Sequence, residues 1–193
     1  IGDPVLRTRA NDVTDVDGAL VRLSDEMFET MYEAAGIGLA APQVGVQQRF
    51  FVYDHGEAGG VILNPEIAES DGEWAFDEGC LSVPELSFEI VRPKQIHLVG
   101  IDLEGNEVSI EADELEARLF QHELDHLDGV LIVDHLDEDQ LREAKRFLRE
   151  RTLAAECRGR PVGACDVLIA PPPVHPRRLV YLGTPAAAVP PLE

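Results

Sequence analysis

The chain has 193 residues, 45% of them apolar, enough for one cored domain with an appendage. Its 37 acidic residues outnumber 16 basic ones, and the net charge of -21 argues against binding bare nucleic acid through phosphates and for solubility. No apolar run reaches the roughly 18 residues of a membrane helix, no signal segment opens the chain, and three irregularly placed cysteines make no disulfide framework, so a reducing, cytoplasmic compartment is expected. Opening on Ile1 rather than Met, the sequence is expected to lack a few leading residues.

In chain order, Leu20, Leu23, Met27 and Met31 recur at spacings of three and four and predict an amphipathic helix from about Asp15 to Ala35, with the methionines as core filler. Arg49 to Tyr53 and Val61 to Asn64 read as short buried strands. Gln95 to Leu103 and Glu107 to Glu111, joined across Gly105-Asn106, read as a β-hairpin. Asp113 to Asp128 reads as a second helix and Glu138 to Leu153 as a third. The third carries the one basic cluster, Arg142, Lys145, Arg146, Arg149 and Arg151. Separate strands and helices in this mixture predict an α+β fold.

The strongest chemical signal is His122-Glu123-Leu124-Asp125-His126. Two histidines four apart lie on one helical face, one turn from each other, and both imidazoles can reach one ion. Glu123, one step round, can reach a water on that ion. Leu115 and Leu119 share the face, which is therefore expected to be buried.

A tight catalytic site needs a third protein ligand. The extended pattern with a further histidine fails, because position 132 is Ile132. A downstream Glu143 or Glu150 would suit one protease class, but these stand in a charge-rich helix that reads as a solvated face. The remaining candidate is Cys80, in Glu78-Gly79-Cys80-Leu81-Ser82. Another segment, Gly36-Ile37-Gly38-Leu39-Ala40-Ala41-Pro42-Gln43, is a run of small residues ending in an amide. Small residues let a backbone approach a ligand closely, and a glutamine side chain can donate to an oxygen. Taken alone, it reads as a helix C-cap at Gly36 and a tight turn.

Together these three segments resemble peptide deformylase, whose motifs G-x-G-x-A-A-x-Q, E-G-C-x-S and Q-H-E-x-D-H stand here in order at Gly36 to Gln43, Glu78 to Ser82 and Gln121 to His126. The opening Ile1-Gly2-Asp3-Pro4-Val5-Leu6-Arg7 resembles that family's start, and the likeness covers about residues 1–155. It implies an α+β fold with antiparallel sheets around a central metal-binding helix. It implies Cys80, His122 and His126 as metal ligands and Glu123 as the catalytic acid/base. Gln43 and the backbone N–H of Leu81 are implied as oxyanion donors. It further implies ferrous iron as the metal, with zinc, nickel or cobalt able to replace it. The implied substrate is the formyl-methionyl end of nascent peptides, with transient contact to the ribosome, no membrane and no specific nucleic acid. Gly38, Val44, Gly79, Leu115 and Leu119 are the candidate substrate-binding residues, with Arg118 near the pocket mouth or pointing to solvent. Two alternatives use the same helix. One is a zinc endopeptidase. The other is a structural zinc site that takes Cys157 or Cys165 as its fourth ligand.

Composition changes near Ala155. Residues 156–193 hold 4 basic and 3 acidic residues and 8 of the 13 prolines. This reads as a deformylase-like domain over 1–155, a proline-rich linker over 156–176 and a separate piece over 177–193. The stretch Arg177-Arg178-Leu179-Val180-Tyr181-Leu182-Gly183-Thr184-Pro185 resembles the opening strand of methionyl-tRNA formyltransferase; the alternative is a disordered tail. A lone strand of this kind is expected to have no sheet to join, and the tail to be dispensable.

Overall fold

The computed structural model of the chain describes residues 3–56, 58–80, 82–158 and 181–182. Its order begins with α1 (Gly18–Glu33), β1 (Gly38–Ala40), β2 (Phe50–Asp54), β3 (Gly59–Asp71), β4 (Trp74–Cys80) and β5 (Val83–Arg92). There follow β6 (Gln95–Ile101), β7 (Glu107–Asp113), α2 (Glu114–Asp128), α3 (Glu138–Arg158) and β8 (Tyr181–Leu182). Helices and antiparallel sheets mix as an α+β fold.

The first sheet runs β1-β2-β3-β6-β7, each neighbour antiparallel. Its centre is β2, whose Phe50, Phe51 and Val52 are buried, as is Tyr53. Alternate side chains of a strand face opposite ways. Accordingly Phe50 and Val52 join Leu20, Met27 and Met31 of α1 in one core cluster. Phe51 and Tyr53 join Leu98 of β6 and Leu119, Phe120 and Leu127 of α2 in another. Burying each such side chain contributes about 1.5–3 kcal/mol. The sheet is thus packed on both faces, with α1 on one and the histidine helix on the other.

Local chemistry sets the helix ends. Asp17 caps α1 by accepting from the N–H groups of Ala19 and Leu20, both at 2.9 Å. At the other end Gly36 donates its N–H to Met31 O at 2.8 Å. Glu114 and Glu116 in the first turn of α2 complement its dipole. Helix α2 stops at Gly129, which has φ 75°. Any Cβ there would also meet the Arg7 carbonyl carbon at 2.8 Å, so glycine is required twice over. The N-terminal segment lies across this helix end: Ala10 donates to Leu127 O at 2.8 Å, and Arg7 pairs with Asp134.

The two predicted helices of this unit and the β6–β7 hairpin fall where the periodicity places them. The expected strand at Val61–Asn64 is the buried middle of the longer β3. Its pairing with β6 breaks register after Leu63 and again after Ile67. Asn64, at φ 49°, sits at the first break and clamps Val13 through two hydrogen bonds of 2.8 Å. Strands β1 and β4 carry no clear alternation in the sequence; β5 does, with Leu86, Phe88 and Ile90 separated by Ser87 and Glu89, and none of the three was expected.

The second sheet is β5-β4-β8. Strand β4 pairs antiparallel with β5 up to Gly79↔Ser87, and Cys80 then pairs with Val83. The register jump falls at the cysteine itself, the kind of irregularity that re-aims a side chain. The expectation that the tail strand has no sheet to join is corrected: β8 runs parallel to β4, with Gly79↔Tyr181 and Cys80↔Leu182. The rest of 159–193, and Cys165 with it, lies outside the described residues.

The chain divides into two compact units, Ile1–His135 with Leu179–Glu193, and Leu136–Arg178. The boundary precedes the composition change near Ala155, so α3 belongs to the second unit. On α3, Arg142 pairs with Asp139 and Arg146 with Glu143, all four exposed, as in an ordinary solvated face.

Candidate metal centre

Helix α2 puts His122 and His126 one turn apart, with ring centroids at 5.0 Å and planes at 80°. Strand β4 delivers Cys80, whose Sγ lies 3.2 Å from His126 Nε2. One potential donor atom from each of the three residues lies within 4.8 Å of the others, and all three side chains are buried. Of the third-ligand candidates, the described residues bring Cys80 to the histidines.

Three buried polar atoms here have no partner among the described residues: His122 Nε2, His126 Nδ1 and Glu123 Oε2. Each such orphan costs about 1–3 kcal/mol. One thiol and two imidazoles with lone pairs converging in a dry site are the donor set of a catalytic zinc- or iron-type centre. The residues therefore fit a bound divalent metal. Burial opposes charge on Cys80, but His126 and His122 hold its thiol well below the ordinary thiol range. A thiolate is the form that binds a metal.

Glu123 is buried between the histidines. Burial pushes its carboxyl up to about 7, against the pull of His122 and His126. Its Oε1 would lie 2.6 Å from a Cβ built on Gly38, and Leu119 Cδ1 would lie 2.4 Å from it. Gly38 is thus the point where β1 meets α2, and no side chain fits there. Two residues on, the Ala40 N–H donates to Gln43 Oε1 at 2.8 Å. That commits the amide oxygen of Gln43 and leaves its NH2 group available to donate. Val44 next to it is exposed. Leu119 is fully buried in the α2 core cluster and Leu115 is half-buried against it. Gly79 stands beside Cys80 on β4. Leu81 lies outside the described residues.

Sequence reasoning missed a buried charge network behind the histidines. Glu78, two residues before Cys80, accepts from Arg92 Nε at 2.7 Å and Nη2 at 3.1 Å. It also accepts from Arg118 Nη1 at 2.7 Å and lies 3.2 Å from His122 Nδ1. Burial works against its charge, yet His122 and Arg92 hold the carboxyl well below its usual range. Arg92 Nη1 donates to Asp125 Oδ2 at 2.7 Å, and His135 Nε2 lies 2.7 Å from the same oxygen. Arg118 corrects the expectation of a pocket mouth or solvent: its side chain is 0% exposed. It donates to Ile90 O at 3.0 Å and to Trp74 O, and lies 5.2 Å over the Trp74 ring. Glu78 and Asp125 did stand inside two of the motifs; Arg92 and Arg118 had no local signal.

The sequence model of the polypeptide deformylase family matches residues 1–142. The chain is 49% identical over 136 residues to a peptide deformylase of Halothermothrix orenii, covering 69% of this chain and 88% of that protein. It is 52% identical over 136 residues to one of Agathobacter rectalis, covering 70% and 86%. Among solved structures it resembles the peptide deformylase of Legionella pneumophila, with TM-score 0.76, 40% identity and 81% and 94% coverage. For that of Thermotoga maritima the TM-score is 0.69, the identity 50% and the coverage 70% and 93%.

Proposed function

The chain belongs to the peptide deformylase family, and from that premise we propose that its own residues remove the formyl group of N-terminal formyl-methionine in nascent polypeptides as follows. Cys80, His122 and His126 would hold one divalent metal ion. At this donor set such an ion supplies Lewis-acid polarisation and a water acidic enough to attack near neutral pH. Iron(II) is the assignment proposed, with zinc, nickel or cobalt able to take the place. Glu123, buried beside His122 and with Oε2 lacking a partner among the described residues, takes the proton of the attacking water and delivers it to the leaving amine. The Gln43 amide and the Leu81 backbone N–H share the charge that develops on the formyl oxygen. Losing one such donor typically costs about 3 kcal/mol of barrier. Formate and a free methionyl amine leave.

The observation that carries this reading is the meeting of Cys80, His122 and His126, all buried, with one potential ligand atom from each within 4.8 Å of the others. The peptide would lie extended along a strand edge, with Gly38 and Gly79 close to its backbone and Val44, Leu115 and Leu119 around the methionine side chain. A nascent-chain substrate would put the enzyme in the cytoplasm, with transient contact to the ribosome. Among the described residues no helix is long and apolar enough to cross a membrane.

The test measures formate release from a formyl-Met peptide by protein loaded anaerobically with iron. An acetyl-Met peptide and an internal peptide bond serve as control substrates. Formate from the first, with little turnover of the others, is the expected result. Equal turnover of formyl and acetyl peptides would overturn the tight formyl site, and cleavage of the internal bond alone would point to an endopeptidase.

A further inference from the structure

We propose that Arg92 is a positioning residue that locks the ligand-bearing strand to the far turn of the ligand-bearing helix. The inference rests on Cys80, His122 and His126 holding a metal. These ligands come from two elements, β4 and α2, that share no hydrogen-bond ladder. A metal site nevertheless needs its donors held to about 0.5 Å.

One guanidinium at the end of β5 meets that need. Its Nε and Nη2 clasp both oxygens of Glu78, at 2.7 and 3.1 Å, two residues before Cys80. Its Nη1 reaches Asp125 at 2.7 Å, the residue before His126. Arginine alone offers this planar fork; a lysine is a point charge and cannot span both carboxylates in the same way. Glu78 then passes the constraint on. By accepting from His122 Nδ1–H it turns the ring and leaves Nε2 as the lone-pair donor, the usual device for fixing a metal-bound histidine. Arg118 also ties α2 to Glu78, but it stands one turn before His122. Of the two arginines only Arg92 reaches the turn that carries His126.

A purely structural ion network would lower stability when broken without changing how the metal is held. The experiment separates the two. Cobalt-loaded wild type, Arg92→Gln and Arg92→Lys are challenged with a chelator, and cobalt release and the cobalt–thiolate absorption are followed, together with the thermal midpoint of the apo forms. Arg92→Gln is expected to release metal at least about tenfold faster and to shift the absorption, with Arg92→Lys recovering part of the loss. Release at the wild-type rate, with only a lower apo midpoint, would overturn the positioning role. If Arg92→Gln does not fold, Asp125→Ala removes the helix arm, and His135→Ala, which removes the other partner of the same oxygen, serves as its control; faster release with shifted bands in Asp125→Ala but not in His135→Ala supports the proposal, and unchanged release in Asp125→Ala, or an equal loss in both, overturns it. Wild type that holds no metal, or His122→Ala that holds it as tightly, removes the ligand reading, and the positioning role with it.

Discussion

Two buried glutamates flank the same pair of histidines, and their surroundings are opposite. Glu78, behind the site, is saturated: two arginines and an imidazole converge on its oxygens, and its carboxyl is held far into the ionised range. Glu123, in front, keeps one oxygen without a partner among the described residues and a carboxyl pushed up to about 7 by burial. A fully paired buried carboxylate is rigid and does not trade protons near neutral pH. An underpaired one is unfavourable for stability and suited to trading them. The contrast teaches that the same residue type serves as frame or as reagent according to how many donors the fold aims at it.

Three substitutions and one deletion probe this contrast, in falling order of expected effect. Glu123→Gln keeps shape and removes the proton acceptor. Turnover is expected to fall by up to about 10⁴-fold, with bound metal, measured by elemental analysis, unchanged. An active variant would erase the distinction between the two glutamates. Glu78→Ala strands two buried arginines and is expected to cost about 3–5 kcal/mol in chemical denaturation. A change under about 1 kcal/mol would mean the rear network is not a frame. Gln43→Ala should lower kcat about a hundredfold, or about 3 kcal/mol, with little change in KM. A rise in KM alone would move Gln43 from the reacting side to substrate anchoring. Deleting residues from Glu156 onward removes β8 but none of the residues assigned to the chemistry, and is expected to leave kcat/KM nearly unchanged. A larger loss would show that β8, paired beside Cys80, contributes to the front of the site.

The front of the site was the legible part. His122, Glu123 and His126 announce themselves because a metal needs two imidazoles one turn apart, and helix periodicity makes that spacing visible. The β6–β7 hairpin is legible for a similar local reason, through its Gly105-Asn106 turn. The frame was not legible, because its partners lie far apart in sequence. Arg118 and Glu78 are separated by 40 positions and Arg92 and Asp125 by 33. A charged residue at a buried position reads as exposed until its partner is known. Strand β4 was missed for the same cause: its buried residues include Glu78, a charge where the alternation of a strand calls for an apolar side chain. Strand β1 is three small or apolar residues, all buried, and has no alternation to show.

The clasp between the first residues and the end of α2 has a consequence for how the molecule is made. Arg7 and Asp134 stand 127 positions apart, and Gly129 rests directly on the backbone of Arg7 and Thr8. The amino-terminal strap is translated long before the helix end it closes on, and it must wait for that helix. Contacts of such long sequence separation form late and slow folding. The histidine pair sits on that same helix, so a newly made chain can complete the Cys80–His122–His126 cluster only after α2 has been translated and closed against the strap.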